Sequence, residues 1–131
     1  MKKLIIACLL ATSAASAFAE WLEVYHQDGG STYIETFTVK YDSNLPIVWM
    51  LVNYSSRSPW GELSSIRYTE FDCKEKRYRT LSSIGYSDPM AKGRVTSDTS
   101  GPSRAFVSDW NPVGLNNMIE PVLKIVCAKK P

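Results

Sequence analysis

Few side chains in this sequence have the chemistry needed for catalysis or metal binding. The 131 residues include one histidine, His26, and three cysteines. His26 lies between a short alternating segment and a glycine-rich turn, a position that is typical of an exposed residue. A hydrolytic triad requires a defined geometry, and one histidine with separated cysteines falls short of the four ligands of a zinc site. The sequence therefore predicts no enzyme active site, no metal site and no cofactor.

The closest pair of carboxylates is Glu70 with Asp72, which share one face of a predicted strand. A basic turn follows them, and we expect salt bridges across a hairpin rather than general acid–base catalysis. The candidate binding surface for an acidic partner consists of Trp60, Lys74, Lys76, Arg77 and Arg79. Two alternatives stay open: the turn only keeps the hairpin soluble through its charge, and Trp60 packs on the sheet.

Residues 1–19 have the features of a secretory signal peptide. A short basic segment precedes an apolar run over residues 4–11, and alanines at positions 17 and 19 fit the cleavage pattern. The alternative is a membrane anchor, for which the apolar run is short. We expect cleavage after Ala19, which leaves residues 20–131 as a single domain in the periplasm, on the cell surface or secreted.

Removal of this segment changes the charge of the chain. The 15 basic residues include Lys2 and Lys3, so residues 20–131 carry 13 basic and 13 acidic side chains. A neutral domain gives no general case for binding nucleic acid or an anionic membrane. No later segment is apolar enough to form a stable membrane span.

The cysteines give a second consequence of export. Cys8 leaves with the signal peptide, so Cys73 and Cys127 remain in a protein routed to an oxidising compartment. That compartment favours a disulfide between them over two free thiols. The two residues are 54 positions apart, and closing such a loop is worth about 4 kcal/mol in the chain-entropy model.

Hydrophobic patterning predicts an α+β domain with an antiparallel sheet of about six strands. The predicted strands are residues 21–26, 32–35, 46–54, 65–72, 77–86 and 94–98. Apolar side chains on both faces of residues 46–54 predict a strand in the interior of the sheet. In the fifth strand, the side chains expected on one face are those of Tyr78, Thr80, Ser82, Ile84 and Tyr86.

One helix is expected near the C-terminus. Ile119, Val122, Leu123 and Val126 recur at helical spacing after a candidate cap at Asn117. The apolar face of this helix and Cys127 should both point at the sheet. Before it, Phe106 and Trp110 are expected to anchor the Ser-, Gly- and Pro-rich residues 99–114 onto the body of the domain.

Several short motifs occur in the order of a known family. They are Trp21-Leu-Glu-Val, Tyr33-Ile-Glu35, Phe71-Asp-Cys-Lys74, Arg77-Tyr-Arg79 with Leu81-Ser-Ser83, Trp110-Asn-Pro112 and Leu123-Lys-Ile-Val-Cys127. With them the chain resembles the surface-adhesin protein E family of Gram-negative bacteria over essentially all of residues 20–131. The resemblance implies an antiparallel sheet with a C-terminal helix held across one face by a disulfide. It also implies a non-enzymatic domain that binds a host matrix or plasma protein.

A second function stays open, that of a periplasmic structural or envelope-interaction module without a host ligand. A member of the family anchored at the cell surface would be expected to carry a lipoprotein cysteine directly after the signal peptide, and Glu20 stands at that position. The resemblance implies a protein partner, and whether the domain is a monomer or a homodimer also stays open.

Overall fold

The strands follow one another through the sheet in chain order. The computed structural model describes residues 20–37, 39, 44–100, 107–115 and 118–128. Within these ranges the strands are β1 (Trp21–Gln27), β2 (Gly30–Glu35), β3 (Ile47–Asn53), β4 (Ser64–Asp72), β5 (Arg77–Asp88), β6 (Lys92–Asp98) and the short β7 (Asn111–Pro112). From β1 to β6, each strand pairs antiparallel with the one that follows it in the chain, whereas β7 pairs with β5 and not with β6. The helix α1 (Glu120–Val126) comes last.

All six predicted strands are confirmed, with ends that differ by a few residues. The turn between β1 and β2 is the predicted glycine-rich turn, in which Asp28 and Gly29 have φ values of 52° and 82°. Two consecutive residues with positive φ match the right-handed twist of a two-residue hairpin. The C-terminal helix is confirmed over α1, whereas its predicted cap Asn117, the predicted anchor Phe106 and the predicted signal peptide lie outside the described residues.

The main core contains side chains from the strands and from the C-terminal segment. Its buried residues are Ile34, Val39, Val48, Met50, Val52, Phe71, Val113, Ile119, Val122 and Val126. The strand members lie on one face of the sheet, because Ile34 is directly opposite Met50 and cross-strand partners share a face. Complete burial of one such side chain stabilises the fold by about 1.5–3 kcal/mol.

The other face of β3 carries a smaller apolar surface. Leu51 is buried and lies outside the main core, while Ile47 and Trp49 are half-buried. Trp49 stacks on Tyr68 of β4, with the ring centroids 4.5 Å apart. The prediction of an interior strand is therefore confirmed, although its second face is less covered than its first.

A bulge at Leu81 makes one prediction wrong. Thr80 lies opposite Thr69, but Ser82 lies opposite Tyr68, so β5 contains one more residue than β4 at this step. The extra residue puts the two halves of β5 out of phase. The side chains predicted to share a face, those of Tyr78, Thr80, Ser82, Ile84 and Tyr86, are consequently divided between the two faces of the sheet.

Candidate binding surface

The predicted binding residues around position 74 lie at the tip of the hairpin formed by β4 and β5. The turn is held by the Asp72 side chain, whose Oδ1 accepts a hydrogen bond from the Glu75 backbone N–H at 3.2 Å. Cys73 begins the turn and forms the predicted disulfide with Cys127, with their Cα atoms 5.6 Å apart. Cys127, which directly follows α1, is therefore fixed covalently to this tip.

Two arginines of the tip pair across the hairpin, as predicted. Arg77 Nε lies 3.0 Å from Asp72 Oδ2, and Arg79 Nη2 lies 2.7 Å from Glu70 Oε1. Both carboxylates are 13% exposed, so these pairs are better shielded from solvent than ordinary surface ion pairs. The positive charge of the two arginines is therefore compensated within the hairpin.

The same two arginines lie over the ring of Trp110. The Cζ atoms of Arg77 and Arg79 are 4.7 Å and 4.5 Å from the ring centroid. The segment that carries Trp110 is placed by β7 and by Ser108, whose backbone N–H donates to the Thr80 carbonyl at 2.9 Å. Each cation–π contact is worth about 0.5–2 kcal/mol. Trp110 is thus the anchor that its sequence context predicts, and it also belongs to the basic surface, from which sequence reasoning omitted it.

Asp72 is stabilised in its ionised form by its position in the turn. The hydrogen bond from the Glu75 backbone N–H lowers the pKa of Asp72 most, and the hydrogen bond and charge of Arg77 lower it further, while burial opposes them. The carboxylate therefore keeps its charge at more acidic pH than an ordinary aspartate. The ion pair between Asp72 and Arg77 is retained over the same range.

The lysines of the tip differ from the arginines. Lys74 and Lys76 are exposed, and within the described residues neither ammonium group lies within 4.0 Å of a carboxylate. Glu75 lies between them in the chain and is also exposed. Among the described residues, the tip thus presents two positive charges that form no salt bridge and one negative charge, on a turn fixed by the disulfide.

Trp60 lies away from this tip. It belongs to the loop between β3 and β4, at the opposite end of β4 from the basic turn, and its residue is 74% exposed. A strand as long as β4 spans about 26 Å at roughly 3.3 Å per residue. The structure therefore brings Lys74, Lys76, Arg77 and Arg79 together and leaves Trp60 apart from them. Its exposure also contradicts the alternative in which Trp60 packs on the sheet.

The only histidine occupies an exposed position on β1. His26 Nδ1 lies 3.3 Å from Glu23 Oε1, and the histidine side chain is 68% exposed. Across the part of the chain that the structure describes, no three His, Cys, Asp or Glu side chains lie close enough to hold a metal ion. No helix in that part is long and apolar enough to cross a membrane.

Comparisons with known proteins agree with this fold. A family model described as "Surface-adhesin protein E" matches residues 21–128. Crystal form II of Haemophilus influenzae protein E is similar in structure, with a TM-score of 0.52 and 12% identity over 79% of this chain and 91% of that chain. A second structure of Haemophilus influenzae protein E gives a TM-score of 0.54 and 10% identity over 82% of this chain and 83% of that chain. No curated protein matches the chain in a sequence comparison.

Proposed function

This chain belongs to the surface-adhesin protein E family, and from that premise we propose that it is an exported, non-enzymatic domain that binds a host matrix or plasma protein. In this proposal residues 1–19 are a signal peptide and residues 20–131 form one domain that reaches the cell surface. α1 lies across the core face of the sheet. The position of Val122 and Val126 in the main core supports this last point.

The observation that carries the proposal is the unpaired charge at the basic tip. Lys74 and Lys76 project from a turn fixed by the disulfide of Cys73, so little conformational entropy of the backbone is lost when a partner binds. The neighbouring arginines are held by carboxylates and by Trp110, and they form a rigid base for the two lysines. Such a surface fits an acidic patch on a protein partner.

The surroundings of His26 support binding rather than catalysis. Its neighbouring carboxylate is that of Glu23, and both side chains are exposed on an edge strand. General acid–base catalysis usually requires the catalytic group to lie in a cleft that holds the substrate. A binding domain needs no such group, in agreement with the adhesin family.

A charge-removal experiment tests the role of the tip. We expect Lys74→Gln combined with Lys76→Gln to weaken binding to immobilised matrix proteins (collagen, fibronectin, laminin) or to serum proteins roughly 5- to 30-fold, since each exposed charge contributes about 0.5–1 kcal/mol. The matched control is Lys92→Gln with Arg94→Gln, which removes two exposed charges from β6. The proposed surface is contradicted if the tip variant binds a ligand of the wild type with the same affinity as the wild type does.

External protease on intact cells decides between the two functions. Cleavage of the protein on intact cells supports surface display and host binding. Protection on intact cells, with cleavage only after permeabilisation, indicates a periplasmic envelope module. Glu20 at the predicted mature start favours this second function. The host-binding proposal is then wrong.

A further inference from the structure

A cleft lies at the end of the sheet opposite the basic tip. Its volume is about 410 Å³, and it opens between the β1–β2 turn and the loop that follows β3. Side chains that line it include Tyr25, Gln27, Asp28, Tyr54, Arg57 and Met118. Small-molecule sites in proteins commonly have volumes of about 300–1,000 Å³. The cleft therefore has the size of a site for a small ligand.

Strand register places both tyrosines of the cleft on one face of the sheet. Tyr25 is directly opposite Thr32, and Thr32 is directly opposite Val52, so all three side chains share the core face. Tyr54 follows Val52 by two residues and packs against the core cluster. The cleft thus continues the core face beyond the region that the helix residues occupy.

The walls of the cleft are fixed before any ligand binds. The Tyr54 hydroxyl is hydrogen-bonded to Ser65 Oγ at 2.9 Å and accepts a hydrogen bond from Arg67 Nη2. Arg57 Nη1 donates to the carbonyls of Gly61 and Ser87 at 2.8 Å and 3.0 Å, which ties the loop to β5. Little rearrangement is therefore needed for binding.

The floor depends on a glycine. A Cβ atom at Gly30 would lie 3.3 Å from Met118 Cε, closer than an ordinary contact. The absence of a side chain at this position lets Met118 lie close against the β1–β2 turn and contribute an apolar surface to the cleft.

The polar groups of the cleft are suited to a neutral ligand that is rich in hydroxyl groups. The side chains of Asp28, Ser55 and Ser56 line the cleft and make no hydrogen bond within the described residues. Asp28 and Arg57 place one negative and one positive charge in the lining, so the lining carries no net charge that would favour a phosphate or a carboxylate over a neutral ligand. A carboxylate and hydroxyls can accept from sugar hydroxyls, while tyrosine rings offer flat apolar surface to the C–H face of a sugar ring.

From this combination we propose that the cleft binds a neutral pyranose sugar, and that an N-acetylhexosamine uses it most fully. The acetamido methyl group has an apolar counterpart in Met118, and the amide can pair with Gln27. Pro59 also lines the cleft, and Trp60, which follows it in the chain, is exposed and therefore available to a second ring of a disaccharide. This site is separate from the protein-binding tip and does not depend on it.

Titration of the oxidised mature chain, followed by backbone amide resonances in NMR, tests the proposal. The probes are N,N′-diacetylchitobiose, which represents glycans of the bacterial cell wall type, and N-acetyllactosamine, which represents glycans of the host type. We expect at least one of them to bind with a dissociation constant on the order of 0.1–1 mM and to shift resonances in residues 25–30 and 54–60. The tighter of the two identifies the source of the sugar.

The variant that isolates the cleft is Asp28→Asn. Asparagine tolerates positive φ, so the turn is retained while the charge is removed. We expect at least a fivefold loss of sugar affinity with an unchanged melting temperature, whereas Lys74→Gln with Lys76→Gln, at the other end of the sheet, leaves sugar affinity unchanged. The proposal is overturned if neither disaccharide shifts these resonances up to about 10 mM, if the shifts lie elsewhere, or if Asp28→Asn binds as the wild type does.

Discussion

Removal of the Cys73–Cys127 disulfide should cost a large part of the stability of this domain. The bridge closes a loop with a sequence separation of 54, so its loss is worth about 4 kcal/mol in the chain-entropy model. Domains of this size have total stabilities of about 5–15 kcal/mol. An unfolding entropy of about 2.1 cal/mol/K per residue then converts this loss into a fall in Tm of about 15–20 °C.

The structure also indicates which part of the domain should unfold first when the disulfide is removed. α1 has seven residues, fewer than the roughly 12–15 that an isolated helix needs for marginal stability in water. It is retained by the buried side chains of Ile119, Val122 and Val126 and by the disulfide that directly follows it. Without the bridge, helical signal and core packing at this end should be lost before the central strands unfold.

Thermal and urea unfolding of four samples measures the effect. They are the wild type, the reduced wild type, Cys127→Ser and the double variant Cys73→Ser with Cys127→Ser. We expect the last three to share one lowered Tm, and the double variant to be insensitive to reductant. If the wild type melts at the same temperature with and without reductant, the bridge does not stabilise the fold and the reasoning is refuted.

Three further predictions concern single positions. Trp110→Ala should lower the free energy of unfolding by about 1–3 kcal/mol through loss of two cation–π contacts, and Trp110→Phe should recover part of it in urea titrations. Because the pKa of Asp72 is lowered from 3.8 in the folded state, its contribution is present above that value and is lost as pH falls through the folded pKa. Asp72→Asn should therefore flatten the acid dependence of stability below about pH 4, and an unchanged profile contradicts this. Gly85→Ala places a Cβ 2.6 Å from a side-chain oxygen and should cost about 1–3 kcal/mol, whereas Gly114→Ala meets no atom within 4 Å and should be nearly neutral.

Local patterns in the sequence were sufficient to predict the strands. Alternation in β1, the doubly apolar β3 and the turn at Asp28 and Gly29 each depend on neighbours within a few residues. The disulfide was predicted from the expected export and from the two cysteines that remain after the expected cleavage. These features need no knowledge of which strand pairs with which.

Features that depend on register could not be predicted in the same way. The bulge at Leu81 is visible only when β5 is aligned with β4, and the sequence of β5 continues to alternate through it. The contact of Trp110 with Arg77 and Arg79 joins segments about 30 positions apart, and it depends on the pairing of β7 with β5. The cleft likewise forms where two separate turns meet.

Trp60 shows why closeness in sequence misled the prediction of a single binding surface. Trp60 and Lys74 are close in the chain, but all of β4 lies between them. The two ends of an extended strand of this length are about 26 Å apart. The hairpin that presents the lysines therefore carries Trp60 to the end where the cleft opens. At this separation, effects of substitutions should be independent. If the lysine variants bind protein as the wild type does, only the proposal of protein binding at the tip is contradicted. If Asp28→Asn binds sugar as the wild type does, only the proposal of sugar binding in the cleft is contradicted.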